Sequence, residues 1–437
     1  MLTQLFKLDV KSFFTTIALI FAPHCLQADD TWPPLVDQFN HPEFSEEGIT
    51  RLDNAMANIV EDRDVSGMVW LLVKNGEVAT FGSSGLARSD DQQPMELDTL
   101  FRIYSMTKPV TGVALMMLWE RGLWDFDDPV SLHVPALAGL KIIKENDDGQ
   151  MILVSPQREP TMRELLNHSA GYGYGLSGKD PVNQQFRDSQ VLASANLDEL
   201  ISKVSEIPLL FEPGERYYYS VAVDIQGYIV QQLSGQRFGA FLREELFGPL
   251  GMTDTRFFVR PEDVTRFAEV HQWDAEQHAL VQREHRQDRP SYLDSDRLES
   301  GGGGLVSSTH DYARFLQMLV NEGELDGERI LSPEAVRIMR TNSLRDGLNL
   351  RGSLTSEGSI GQGFGVDFAV IMNPAKANLP HSPGTYYWSG AAGTWFWIDP
   401  QEDMFWIGMI QARGKRRPGA ADMRRVAADI IYDSILP

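Results

Sequence analysis

Apolar residues recur at helical spacing in several segments of the chain. In residues 46–65 the apolar positions include Ile49, Leu52, Met56 and Ile59, which would lie on one helical face. This spacing predicts an amphipathic helix, and the strongly apolar run at 110–118 predicts a buried one. Further helices are predicted at residues 197–204, 223–233, 310–322 and 419–434.

Strand-like runs lie near both ends of the chain. Residues 68–74 and 77–81 are β-rich and are joined by Asn75-Gly76, the strongest short hairpin signal, because both residues tolerate positive φ. Short aromatic runs at 386–390, 394–398 and 404–411 predict three more strands, with a tight connection at 400–403. The run at 386–390 is expected to form an edge strand.

Strands at both ends and helices in the middle predict an α+β fold. We expect one antiparallel sheet, flanked by helices, with a large and mainly helical insertion. Residues 46–437 would form one domain, whose α/β part covers about 46–104 and 300–437 and whose helical part covers about 105–299. Residues 29–45 are rich in Pro and Asp and predict an irregular lead-in.

The N-terminus has the pattern of an export signal. Lys7 and Lys11 precede an apolar stretch at 13–23, which is too short to span a bilayer, and the small residue Ala28 suits cleavage. The alternatives are a membrane anchor or a buried N-terminal helix. Residues 1–28 are therefore predicted to be a signal peptide and the mature protein to be periplasmic or secreted, with no stable membrane span after cleavage.

Charge and cysteine content exclude some classes of function. The chain has 39 Lys and Arg against 61 Asp and Glu, a net charge of -22, so binding to nucleic acid through a basic face is not expected. The single cysteine, Cys25, falls in the predicted signal peptide. A mature chain without cysteine has no thiol catalysis and no cysteine-ligated metal. The nine histidines show no metal-ligand spacing, and no cofactor of any kind is predicted.

Ser105-Met-Thr-Lys108 is the motif with the clearest chemical meaning. It lies where a β-rich stretch ends and the apolar helix at 110–118 begins. Unpaired N–H groups at a helix start favour developing negative charge on the serine, and Lys108 falls on the same face three residues later. Burial would hold that lysine neutral enough to accept the serine proton. The plainer alternative is an N-cap serine followed by a surface lysine.

Three other segments are less specific. Residues 173–179 match a glycine-rich phosphate loop, but no strand precedes them and Asp180 stands where a Ser or Thr is needed, so a plain loop is predicted. His168 is interpreted as a loop-positioning residue rather than a base. The glycines at 301–304 are either a tight turn at the sheet edge or part of an active-site floor.

Two further segments complete a family pattern. They are Tyr219-Ser220-Val221, six residues after Pro213, and Trp388-Ser389-Gly390 before Ala391. Together with Ser105-x-x-Lys108 they resemble, in the same order, the signature elements of the serine β-lactamase and penicillin-binding-protein superfamily. The resemblance extends over roughly residues 50–430 and is strongest to class C β-lactamases and the related family VIII carboxylesterases.

The resemblance implies a role for each matching residue. Ser105 would be the acylated nucleophile, Lys108 would share its proton, and Tyr219 would relay a proton to the leaving group and later activate water. The backbone N–H groups of Ser105 and Ala391 would form the oxyanion hole. Substrate contacts would come from Tyr104, Val221, Trp388, Ser389 and Gly390, with Gly390 letting the substrate approach the strand, whereas Trp395 is as readily a core residue.

Two departures from the pattern bear on the substrate. Val221 replaces the usual asparagine, and Trp388 replaces a lysine that would pair with a substrate carboxylate. Losing that contact would weaken the binding of anionic substrates by about 1.5–3 kcal/mol. The prediction is therefore an exported serine carboxylesterase acting on small uncharged esters. The alternatives are a weak β-lactamase or D-amino-acid peptidase, and a non-catalytic protein that binds penicillin or cell-wall fragments.

Overall fold

A computed structural model describes residues 32–33, 41–176, 178–283, 291–348, 350 and 360–437. The predicted signal peptide and most of the predicted lead-in lie outside the described residues. In the part of the chain that is described, no helix combines the length and the apolar character needed to cross a bilayer.

The strands in the described part of the chain are, in chain order, β1 (Gly67–Lys74), β2 (Glu77–Arg88), β3 (Gln93–Pro94), β4 (Phe101–Arg102), β5 (Ile142–Glu145), β6 (Met151–Val154), β7 (His271–Asp274), β8 (Ala279–Gln282), β9 (Val306–Ser307), β10 (Glu324–Leu325), β11 (Glu328–Arg329), β12 (Gln362–Phe364), β13 (Ala369–Ile371), β14 (Tyr386–Ser389), β15 (Trp395–Asp399) and β16 (Met404–Ile410). Eight of these strands form the large sheet, all paired antiparallel, in the order β12-β13-β14-β15-β16-β1-β2-β3.

Helices cover both faces of this sheet. They are α1 (Glu46–Glu61), α2 (Thr107–Glu120), α3 (Val130–His133), α4 (Met162–Leu166), α5 (Pro181–Asp188), α6 (Leu197–Val204), α7 (Ala222–Ser234), α8 (Phe238–Phe241), α9 (Thr309–Val320), α10 (Pro333–Met339), α11 (Pro374–Ala377) and α12 (Met423–Ser434). The predicted fold, an antiparallel sheet flanked by helices with a largely helical insertion, is confirmed.

Strand β1 packs against two hydrophobic cores of the molecule, one on each of its faces. Val69, Leu71 and Val73 face the large core that the middle helices form, whereas Trp70 and Leu72 face a smaller core with α1 and α12. Successive side chains of a strand point to opposite faces, so a strand buried on both faces is apolar throughout. The sheet therefore holds the helical insertion on one side and the terminal helices on the other.

Two hairpins in the middle of the chain were not predicted from the sequence. Strands β5 and β6 pair across a turn closed by Gly149, and β7 pairs with β8. The turn of the first hairpin contains Asp148-Gly149, and the runs on either side of it contain β-branched residues. This is a hairpin signal that the sequence analysis missed.

The prediction that β14 is an edge strand is wrong. Strands β12 and β13 lie outside it, and β13 pairs with Tyr386 and Tyr387. The last two residues of β14, Trp388 and Ser389, pair only with β15. Their outer side stays open because β13 is too short to cover it, so β14 offers a local edge next to the helical insertion.

Candidate active site

Ser105 lies in a helical turn between a short strand and a buried helix. Strand β4 leads into a 3-10 turn, Tyr104–Met106, and α2 follows, with 12 of its 14 residues buried. Tyr104 has a φ of 42°, a left-handed conformation that is costly for an aromatic residue. The strained turn places Ser105 in the wall of a cleft of about 1330 Å³, which is hereafter called the cleft.

Lys108, in the first turn of α2, points into the same region and is fully buried. Its Nζ donates to the carbonyl of Gly302 at 2.5 Å and to the hydroxyl of Tyr174 at 3.2 Å. The same atom lies 4.5 Å from the centre of the Tyr219 ring. A surface lysine, the plainer alternative for this motif, is therefore excluded.

The expectation that burial makes Lys108 neutral is wrong. Desolvation by itself lowers the pKa of Lys108, but the phenol oxygens of Tyr174 and Tyr219 and the carboxylate of Asp224 raise it above its ordinary value. Lys108 is therefore an ammonium group that donates hydrogen bonds. An ammonium cannot accept the Ser105 proton, so its part in the chemistry is to stabilise negative charge nearby.

Of three consecutive tyrosines, Tyr219 is the one beside Lys108. It is 4% exposed, and its ring lies 5.6 Å from that of Trp388. Tyr217 packs on Phe364 at 5.3 Å, and the hydroxyl of Tyr218 accepts a hydrogen bond from Asn183 at 2.7 Å. The geometry agrees with the choice of Tyr219 from the sequence pattern.

His168 fixes the segment that carries Tyr219. Its Nδ1 accepts the backbone N–H of Ser220 at 3.2 Å and lies 3.0 Å from the hydroxyl of the same residue. Its ring lies 4.9 Å from that of Tyr219. Desolvation, followed by the charge of Lys108, holds the pKa of His168 well below its ordinary value. His168 is thus a neutral ring that positions Tyr219, which agrees with the sequence interpretation.

Asp224 is a buried carboxylate at the site that was not predicted from the sequence. It lies in the first turn of α7, is fully buried, and accepts hydrogen bonds from the N–H of Gly302 at 3.1 Å and from the hydroxyl of Ser300. Desolvation raises the pKa of Asp224, and the charge of Lys108 opposes that rise. A lone carboxylate in the apolar stretch after Tyr219 was the signal that could have revealed it.

Three of the four glycines at 301–304 form part of the floor of the cleft, in agreement with the second of the two interpretations. Gly302, Gly303 and Gly304 line the cleft. A Cβ on Gly302 would lie 2.5 Å from a carboxylate oxygen of Asp224 and 2.8 Å from the Tyr174 hydroxyl. Only glycine leaves room there for both polar groups beside Lys108.

Strand β14 and the turn after it supply the opposite wall. Trp388, Ser389, Gly390 and Ala391 all line the cleft together with Ser105. The N–H groups of Ser105 and Ala391 bond to no carbonyl among the residues that the structure describes, as an oxyanion hole requires.

The structure adds a packing reason for glycine at position 390 to the one inferred from the sequence. A Cβ there would lie 2.4 Å from the carbonyl oxygen of Ile103 and 2.3 Å from the hydroxyl oxygen of Thr394. Gly390 is needed so that β14 can pack against the turn that carries Ser105. Gly390 also lines the cleft, so a direct approach of the substrate at this residue stays a prediction.

Val221 does not line the cleft, so its predicted contact with substrate is wrong. Its side chain is fully buried where α7 begins, and its N–H donates to the carbonyl of Gly173 at 3.0 Å. The polar group beside Lys108 comes instead from Tyr174, in the glycine-rich loop, which has no strand leading into it. Tyr104 does line the cleft, whereas Trp395 lies in the smaller core.

Comparison with known proteins supports the family resemblance. A sequence model of the Beta-lactamase family matches residues 52–429. Esterase EstB of Burkholderia gladioli is 31% identical over 359 residues, which is 78% of this chain and 84% of the relative. An uncharacterised protein of Mycobacterium tuberculosis is 34% identical over 347 residues, with 78% and 85% covered.

A solved structure shares the fold. EstCE1, described as a hydrolase with promiscuous acyltransferase activity, superposes with a TM-score of 0.73 over 88% of this chain and 99% of its own, at 24% identity. At that identity the likeness shows the fold alone.

Proposed function

Because this chain belongs to the beta-lactamase family and is a serine hydrolase, we propose that it is a carboxylesterase that cleaves small esters through an acyl-enzyme on Ser105. The observation that carries the proposal is the convergence of Ser105, Tyr219 and the N–H of Ala391 on one cleft, with Lys108 buried against Tyr219.

The acylation step follows from these positions. The Ser105 hydroxyl gives its proton to the phenolate oxygen of Tyr219, and the freed Oγ attacks the ester carbonyl carbon. The oxygen of that carbonyl becomes negative and accepts hydrogen bonds from the N–H groups of Ser105 and Ala391. The intermediate then collapses, and the departing alkoxide takes the proton from Tyr219. The ammonium of Lys108 stabilises the Tyr219 phenolate before it accepts the proton and after it gives the proton up.

Deacylation repeats the sequence with water. Water gives a proton to Tyr219 while its oxygen attacks the acyl carbon, and Ser105 recovers that proton when the acid leaves. Trp388, whose ring lies beside that of Tyr219, gives the reacting centre an apolar wall in place of a lysine. This supports a short apolar group next to the scissile bond, in agreement with the sequence analysis.

Hydrolysis of p-nitrophenyl butyrate by wild type and by Ser105→Ala tests the proposal. Removal of the nucleophile should lower kcat/KM by about a thousandfold or more. Ser202→Ala, which changes an exposed serine on α6, is the matched control and should keep wild-type activity. A butyryl adduct on the peptide that contains Ser105 should be visible by mass spectrometry. Full activity in Ser105→Ala would refute the mechanism, and nitrocefin turnover as fast as ester turnover would favour a β-lactamase.

A further inference from the structure

The lining of the cleft is basic although the protein is acidic. The chain has a net charge of -22, yet seven arginines line the cleft and Glu269 is the one carboxylate among the described lining residues. Glu269 already faces Arg88 at 3.6 Å. The remaining positive charge has no matching negative charge among the described residues of the wall, whereas acidic residues outnumber basic ones over the chain as a whole.

Three of these arginines surround two tyrosines next to the nucleophile. The ring of Tyr104, which precedes Ser105, lies 6.4 Å from that of Tyr292. The guanidinium of Arg413 lies 5.1 Å from the centre of the Tyr104 ring. Those of Arg102 and Arg297 lie 5.5 Å and 3.8 Å from the centre of the Tyr292 ring. The three cations therefore border one region of the cleft.

None of the three guanidinium groups has a carboxylate of a described residue within 4.0 Å. Arg102 donates to the carbonyl of Ala268 at 2.6 Å, and Arg297 donates through Nη1 to the carbonyls of Phe257 and Gly304. The Nε of Arg297 is buried and has no hydrogen-bond partner among the described residues. A guanidinium has five N–H donors, so these contacts leave donors unused.

Ring contacts and carbonyls hold these arginines in place, but they do not balance the charge. Burial lowers the pKa of Arg102, and although the nearby tyrosines and the carboxylate of Glu269 oppose this, the charge of Arg297 lowers it further. Two neighbouring cations that disfavour each other are relieved by an anion between them. Arginine is also the residue best suited to planar, bidentate recognition of a carboxylate.

We propose that Arg102, Arg297 and Arg413 form an anion subsite that binds a carboxylate of the ester substrate. The inference rests on the proposed esterase function and names its substrate class, which is an ester that carries a free carboxylate on its acyl or its alcohol part. The apolar wall at Trp388 then serves the ester bond, and the arginines serve the far end of the substrate. The expectation of an uncharged substrate was based on Val221 and Trp388 and did not include these arginines.

Two pairs of esters test the subsite and locate the carboxylate. Mono-p-nitrophenyl adipate and p-nitrophenyl hexanoate differ on the acyl side, and 4-(butyryloxy)benzoate and its methyl ester differ on the alcohol side. In at least one pair the anionic ester should have a kcat/KM at least tenfold higher at low salt. The preference should shrink as ionic strength rises, because salt screens the attraction. Equal or lower values for both anionic esters would overturn the proposal.

Substitution of the arginines separates charge recognition from structure. Arg102→Gln and Arg413→Gln should each lower the ratio of kcat/KM for the anionic over the neutral ester by about tenfold to a hundredfold, the worth of a charge-assisted contact. Arg413→Lys should restore part of that ratio. Arg337→Gln, which changes an exposed arginine on α10 outside the cleft, should leave it unchanged. An equal loss for both esters would indicate a structural role and refute the subsite.

Binding of adipate provides a readout that does not depend on turnover. Calorimetry with Ser105→Ala should detect adipate binding that Arg413→Gln in the same background weakens at least tenfold. If no ester is hydrolysed but adipate binds through Arg413, the esterase proposal fails and the anion subsite stands. If neutral esters are hydrolysed but adipate does not bind, the subsite fails and the esterase proposal stands.

Discussion

Asp224 links the floor of the cleft to the charge of Lys108. One of its carboxylate oxygens accepts the N–H of Gly302, whose carbonyl in turn accepts a hydrogen bond from Lys108. Its charge also helps to raise the pKa of Lys108, after the tyrosine oxygens. A single side chain thus holds the backbone of the floor and keeps the lysine an ammonium group.

We expect Asp224→Asn to keep the fold and to impair catalysis. The amide has the same shape but no charge, so the pKa of Lys108 falls and the ammonium is lost at a lower pH. The alkaline limb of the kcat/KM profile should therefore move to lower pH, and kcat should fall about tenfold to a hundredfold. The pH profile with p-nitrophenyl butyrate measures this.

The control for that variant is Asp198→Asn, which changes an exposed carboxylate in the first turn of α6. It should reproduce the wild-type profile. Superimposable profiles for Asp224→Asn and wild type would show that Asp224 does not influence the charge of Lys108.

Two elements, the turn before α2 and the end of β14, must meet closely to form the oxyanion hole. Ser105 belongs to the first element and Ala391 follows the second. Gly390 allows the contact because its Cα faces the Ile103 carbonyl. The relative position of the two N–H groups therefore depends on packing between elements that are far apart in the chain.

Gly390→Ala should separate these elements and slow the reaction. The added methyl group would lie 2.4 Å from the backbone oxygen of Ile103, which cannot rotate away. A displacement of the order of 1 Å at a reacting group costs about a hundredfold. We expect kcat for p-nitrophenyl butyrate to fall by about that factor.

Gly122→Ala is the comparison for this substitution. Unlike Gly390, Gly122 has a positive φ, at 70°, and no atom of a described residue lies within 4 Å of an added Cβ, so its replacement strains the backbone away from the cleft. It should lower thermal stability without lowering kcat. If Gly390→Ala turned over at the wild-type rate, close contact between β14 and the Ser105 turn would not be required.

Buried neutral histidines tie the stability of the whole molecule to pH. His381 packs against Trp397 and Tyr432, which joins the sheet to α12, and desolvation lowers its pKa to about 4. Desolvation and the charge of Lys108 lower the pKa of His168 as well. In the unfolded chain both histidines take up a proton near their ordinary pKa of 6.5. In the folded chain they take up a proton only at lower pH.

Stability should therefore fall as the pH drops below 6.5, because the unfolded state then binds more protons. Each histidine contributes a slope of about 1.4 kcal/mol per pH unit until its folded pKa is reached. Urea unfolding at pH 7.5, 6 and 5 measures the slope. His381→Phe should reduce this slope, because phenylalanine does not titrate and the Nδ1 of His381 has no hydrogen-bond partner among the described residues.

His278→Gln serves as the control, since His278 is exposed at the β7–β8 turn. It should leave the slope unchanged. An identical slope in His381→Phe and wild type would mean that His381 takes up a proton as readily in the folded protein as in the unfolded chain.

Local patterns in the sequence determined a large part of this protein. The apolar spacing from Ile49 to Ile59 predicts α1, and Asn75-Gly76 predicts the first hairpin, because helix faces and turns depend on neighbouring residues. The order Ser105, Lys108, Tyr219, Trp388 likewise pointed to the family, since each signature is a short segment. Each of these features can be recognised from a few consecutive residues.

Tertiary structure alone decided the charges and distances within the cleft. Lys108 is an ammonium group because Asp224 and Tyr174 approach it from α7 and from the glycine-rich loop. Arg102, Arg297 and Arg413 are far apart in the chain and meet around two tyrosines. Coulomb energies and desolvation depend on separation in space, and spacing along the chain does not reveal which distant groups the fold brings within a few ångströms.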